Sequence, residues 1–178
     1  MDGRMILVLG LLALGGCGVP ASNPSGPVAA PAVVMVGAGQ ALPFGEVGTF
    51  CDDPEPGTAI ATEAGYTLRD SAPGSTEPRT HWVTGFADGC ARQFTAALAL
   101  FGDVATHEAT VSAAGGGDAT DRAYEGIKGE VCGVAPGQPC PDIARLAADT
   151  VFVSMFPAFG GESAEILLHG GEVVASDV

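Results

Sequence analysis

Five cysteines, at positions 17, 51, 90, 132 and 140, constrain this chain more than any periodic pattern in it. In an exported protein an odd count leaves one thiol that no internal disulfide can use, whereas an even set can pair completely. Whether the chain is exported is therefore the first question. The run Met5 to Leu14, MILVLGLLAL, is apolar over ten residues. As a helix it extends about 15 Å, half of the about 30 Å that a bilayer core requires. Arg4 precedes it, and the small residues Gly15 and Gly16 follow it. Residues 1–16 thus have the n-region, h-region and cleavage site of an export signal.

That signal closes on Leu14-Gly15-Gly16-Cys17, which resembles the lipobox of bacterial lipoproteins, where a leucine and two small residues precede the acylated cysteine. The resemblance covers residues 1–17. It implies that Cys17 receives a diacylglyceryl thioether, that cleavage falls between Gly16 and Cys17, and that the new amino terminus takes a further acyl chain such as palmitate. Small side chains let the processing enzymes approach the backbone, and only a thiol can become the thioether. The implied location is the cell envelope, on the periplasmic or surface face of a bacterial membrane, with the lipid as the membrane contact.

With Cys17 so used, Cys51, Cys90, Cys132 and Cys140 remain, and an oxidising compartment favours disulfides among them. Cys132 and Cys140 bracket GVAPGQP, whose two prolines and two glycines allow the chain to fold back. Cys51 and Cys90 pair by elimination, although other connectivities stay open. Chain entropy makes the short loop worth about 2.6 kcal/mol and the long one about 4 kcal/mol. A competing reading places Cys90 in the first turn of a helix, where the macrodipole lowers a thiol pKa. There it would need His81, His107 or His169 as a base.

Residues 17–35 contain four prolines and no charged side chain. This composition reads as a tether, whose stretch from Gly18 to Val34 spans about 23 Å as a coil or about 50 Å in polyproline form. Residues 36–178 then supply one globular domain, long enough for a core and too short for two. The chain carries 21 acidic and seven basic residues, for a net charge of -14. Loss of residues 1–16 removes Asp2 and Arg4, one of each sign, and leaves that charge unchanged. Such a surface repels phosphate backbones and anionic headgroups, which argues against nucleic-acid partners.

Local patterns predict an α+β fold, mainly antiparallel, with two or three helices and disulfide staples. TAIAT (58–62) and YTLRDS (66–71) flank EAG as a hairpin, and THWVTGF (80–86) alternates as a strand. In DGCARQFTAALALFGD, apolar Cys90, Phe94, Ala97 and Phe101 recur at helical spacing, with Asp88 as N-cap and Gly102 as the stop, so a core helix is expected. TDRAYEGIKGEV predicts a second helix capped by Thr120, with Tyr124, Ile127 and Val131 inward. VATHEATVSA fits strand or helix equally. PDIARLAAD predicts a short third helix and TVFVSMF (150–156) a buried strand. Gly170-Gly171 separates two apolar runs as a two-residue hairpin turn.

Catalytic motifs are sparse. The sequence contains no HExxH, GxSxG or P-loop, and GAGQALPFG departs from the dinucleotide pattern at its sixth position. DATD lacks the oxygen spacing of a calcium loop. Neither a metal nor another cofactor is implied. Two functions follow from different classes. One is a non-catalytic protein-binding or envelope-assembly module whose partner carries a basic patch. The other is a small hydrolase-like envelope enzyme with a site assembled from His81, Asp88, Arg92 and His107, which requires those side chains to converge.

Overall fold

The computed structural model describes residues 34–114, 117–158 and 162–177, apart from the side chains of 111–114. The export signal, Cys17 and the expected tether up to residue 33 lie outside the described residues. The elements are β1 (Gly48–Phe50), β2 (Thr58–Glu63), β3 (Tyr66–Asp70), β4 (Arg79–Thr84), β5 (Ala91–Ala96), β6 (Leu98–Gly102), α1 (Val104–Ala114), α2 (Ala119–Cys132), α3 (Ile143–Ala147), β7 (Thr150–Phe156), β8 (Ala164–His169) and β9 (Glu172–Asp177). The α+β class is as expected. Its antiparallel strands divide between a five-stranded sheet, β1-β5-β4-β3-β2, and a four-stranded sheet, β6-β7-β8-β9.

Alternation along the strands builds the layers. Tyr66, Leu68, Val83, Phe94 and Ala96 of the larger sheet meet Val151, Val153, Met155, Ile166 and Leu168 of the smaller one. The opposite face of the smaller sheet presents Phe152, Leu167 and Ala175 to Val104, Ala123, Tyr124, Ile127 and Leu146 of the helices. Being covered on both sides makes β7 read as an almost unbroken apolar run. On the outer face of the larger sheet, Phe50, Trp82 and Ala91 are covered by Val36 and Leu42.

The expected core helix over residues 88–102 is instead a pair of strands. Ala91 and Gln93 point to the outer face, while Phe94 and Ala96 point between the sheets. Burial on both faces erased the polar half of a period-two pattern, and the alanines left behind fit a helical stripe by coincidence. Pairing of β5 with both β1 and β4 decided the outcome, as tertiary context overrides local propensity. At Ala97 the chain passes from one sheet to the other, and the Ala97 N–H donates to the Phe156 carbonyl at 2.8 Å.

The helices follow the sequence more closely. VATHEATVSA resolves to α1. α2 buries Tyr124 and Ile127 as expected, but its N-cap is Asp118 rather than Thr120, with the Asp121 N–H donating to the Asp118 carboxylate. α3 is capped by Asp142. Both predicted hairpins are present, with Ala64-Gly65 and Gly170-Gly171 at positive φ in their turns. Positive φ at both central positions matches the twist of the flanking strands. Gly171 donates its N–H to the Tyr66 hydroxyl at 2.7 Å, which ties the last hairpin to the larger sheet.

Both disulfides pair as favoured. Cys51–Cys90 stands one step beyond the Phe50/Ala91 rung of the β1–β5 ladder. Cys132–Cys140 joins the end of α2 to the segment before α3. Cys90 therefore stands at the start of a strand and is oxidised, and the nucleophile at a helix terminus is absent.

Candidate functional site

The four residues proposed as an assembled catalytic site occupy three separate environments. His81 is fully buried between the sheets. Its Nε2 lies 3.5 Å from Asp70 Oδ2, and its Nδ1 lies 3.2 Å from the Arg79 carbonyl. Arg79 in turn grips Asp70 with two bonds, Nε to Oδ1 at 2.7 Å and Nη2 to Oδ2 at 2.6 Å. Burial pushes the Asp70 carboxyl up, but Arg79 and the Ala72 N–H outweigh it and hold the group below its ordinary value. For His81, burial dominates and holds the imidazole below its ordinary value. Asp70 and Arg79 thus form an enclosed ion pair with the His81 imidazole beside it.

Asp88 and Arg92 lie at the β4–β5 turn. The Asp88 carboxylate accepts from the Cys90 N–H at 3.0 Å and from Arg92 Nη2 at 2.8 Å. The Arg92 hydrogen bonds hold its acid below the ordinary value. Arg92 also stacks over the Phe86 ring, 4.2 Å from its centroid. This pair flanks a turn and caps no helix.

His107 lies across the smaller sheet, in the helix layer. Its ring stacks on Phe152 at 3.8 Å between centroids and meets Tyr124 edge-on at 4.8 Å. Asp121 Oδ1 lies 3.3 Å from its Nε2, and burial holds the imidazole below its ordinary value. Beside it Glu108 accepts from the Tyr124 hydroxyl at 3.2 Å and from the Cys140 N–H at 2.7 Å. Lys128, the chain's single lysine, is buried and donates to Glu125 at 2.6 Å. These bonds fasten α1, α2 and the Cys140 segment to one another. His169, in β8, shares a 2.8 Å hydrogen bond with Thr150 Oγ1.

A group of acids surrounds the start of α2. Asp177 accepts from the N–H groups of Ala119 and Thr120 at 3.0 and 2.6 Å. Those donors overcome the upward push of burial and hold it below its ordinary value. Burial raises Glu165 and Asp121, and neighbouring Asp118 adds to both. Asp177, Glu165 and Asp118 Oδ1 accept from helix N–H groups or hydroxyls, which is the chemistry of a helix start. Among the described residues no three His, Cys, Asp or Glu side chains are arranged to hold a metal ion.

The surface offers a different kind of feature. Every residue of β2 is exposed, and among the described residues β2 pairs on one side only, with β3. A bulge between Ala59 and Ala61 leaves Ile60 without a rung, 43% exposed. Leu100, 49% exposed, lies on β6, which passes against β2. The other end of the same sheet is closed, because residues 34–36 run beside β1, with the Thr49 N–H donating to the Val34 carbonyl and the Val36 N–H to the Thr49 carbonyl. Sequence reasoning found neither this edge nor the Asp70–Arg79 pair. The available signal for the pair was Arg79 and His81 sharing the inward phase of Val83 in an alternating strand.

No known protein family, curated protein or solved structure matches the chain.

Proposed function

We propose that the protein is a bacterial envelope lipoprotein, anchored through lipid on Cys17, whose acidic domain binds another protein rather than turning over a substrate. Support for binding comes from one observation. His81, the Asp88–Arg92 pair and His107 are each engaged in separate internal contacts, with no contact between the three groups among the described residues. General acid–base chemistry needs such groups within reach of one reacting centre. Support for anchoring is the likeness of Leu14-Gly15-Gly16-Cys17 to a lipobox. A tethered domain meets its membrane neighbours at raised effective concentration, so modest contacts suffice. The net charge of -14 favours a basic partner surface and makes the contact salt-sensitive.

The test follows the Cys17→Ala variant in a bacterial host. Lipid labelling, membrane fractionation and crosslinked capture of a partner are all expected to be lost. Labelling that persists in the variant refutes the anchor. Failure of the intact chain to capture any protein, joined to substrate turnover that depends on His81 or His107, refutes the binding reading.

A further inference from the structure

We propose that β2 is the docking edge, taking an extended, lysine- or arginine-bearing segment of another protein as an added strand of the five-stranded sheet. The inference rests on the protein-binding reading and specifies its surface. An edge strand presents unpaired N–H and C=O groups that template a further strand. Proteins shield such edges with lysine, proline or a covering segment. Thr58–Glu63 contains neither lysine nor proline, and its protection is limited to the bulge at Ile60 and the charge of Glu63 at its end. The β1 edge, by contrast, is covered by residues 34–36.

Charge selects the occupant. Asp52, Asp53 and Glu55 are exposed just before β2, and Glu63 is exposed at its end. Arg69 donates to the carbonyls of Glu55, Pro56 and Gly57 and lies 3.9 Å from the Glu55 carboxylate, so the acids it leaves to an incoming segment are Asp52, Asp53 and Glu63. The exposed arginines of the described residues, Arg122 and Arg145, sit on α2 and α3 in the helix layer. A second copy of this chain would bring these same carboxylates against one another, whereas a basic segment neutralises them. Ile60 and Leu100 then supply apolar contacts for the side chains of the incoming strand.

The experiment titrates the full chain in detergent with a synthetic ten-residue peptide of alternating lysine and valine, and with its glutamate–valine counterpart. The lysine peptide is expected to bind, to weaken with salt, and to raise amide-exchange protection at residues 58–63. Ala61→Lys, at an exposed position, should weaken it at least about tenfold with the thermal midpoint unchanged. Equal binding of both peptides, no binding, protection at another element, or self-association through residues 58–63 each overturns the proposal. Partner capture in cells that persists in Ala61→Lys also overturns the edge assignment while leaving the binding reading intact. Absence of capture by the unaltered chain fails the reading itself.

Discussion

Arg79 holds both carboxylate oxygens of Asp70 in a two-bond clasp between the sheets, at 2.7 and 2.6 Å. The pair is almost fully enclosed, with side-chain exposures of 11% and 2%. Arg79 Nη1 also donates to the Ala97 carbonyl at 2.5 Å, so the clasp reaches the residue at which the chain changes sheets. Removing one partner of an enclosed ion pair strands the other. Asp70→Asn is therefore expected to cost about 3–5 kcal/mol, read as a lower urea midpoint. Replacing Asp70 and Arg79 together by leucine should cost less than Asp70→Asn alone. A cost below about 1 kcal/mol for Asp70→Asn, the scale of an exposed pair, would show that the clasp is open to solvent.

Stability should fall as pH drops below the ordinary imidazole value of 6.5, because burial holds His81 and His107 below it. Well above 6.5 both imidazoles are neutral in either state, and their contribution is complete. Below it the unfolded chain gains protons that the folded chain refuses, so the contribution is lost toward the folded values. Glu165 and Asp121 act in the opposite sense, since their raised pKa values favour the folded state in acid and cost stability as pH rises through them. Urea midpoints across this range should fall less steeply for His107→Gln than for the unaltered chain. An identical slope for both sinks this account of His107.

Intact mass before and after reduction should show four half-cystines among Cys51, Cys90, Cys132 and Cys140, and peptide mapping should return the two observed pairs. Removing Cys51–Cys90, with its separation of 39, should lower stability more than removing Cys132–Cys140, with its separation of eight. The entropic difference is about 1.4 kcal/mol. A larger loss from the short bridge would mean that it does more than close a loop, since it also positions the Cys140 N–H on Glu108.

The hairpins were legible because glycine turns are chemical signals independent of context. The pairing of the four cysteines was legible by counting and elimination, although Cys90 stands beside a strand rather than in the helix expected there. α2 announced itself through Tyr124 and Ile127. Residues 88–102 were not legible, because β5 is enclosed on both faces and loses its alternation, and ARQFTAALALFG retains too few β-branched residues to restore it. The Asp70 clasp was hidden for another reason. Its partners belong to different strands, and only the register of β3 against β4 brings them together.

The covering of β1 by residues 34–36 and the bond from Cys51 to Cys90 have a joint mechanical consequence. A pull on the chain ahead of Val34 first strains the two hydrogen bonds at Thr49, then those that hold Gln40 and Leu42 to Gln93 and Thr95, and then the short β1 ladder. At Cys51 it meets a covalent stop, which passes the load to β5, a strand flanked by β1 and β4. Peeling from that end thus halts within 17 residues of Val34. The domain carries its own strain limiter, placed where traction from the N-terminal side would enter.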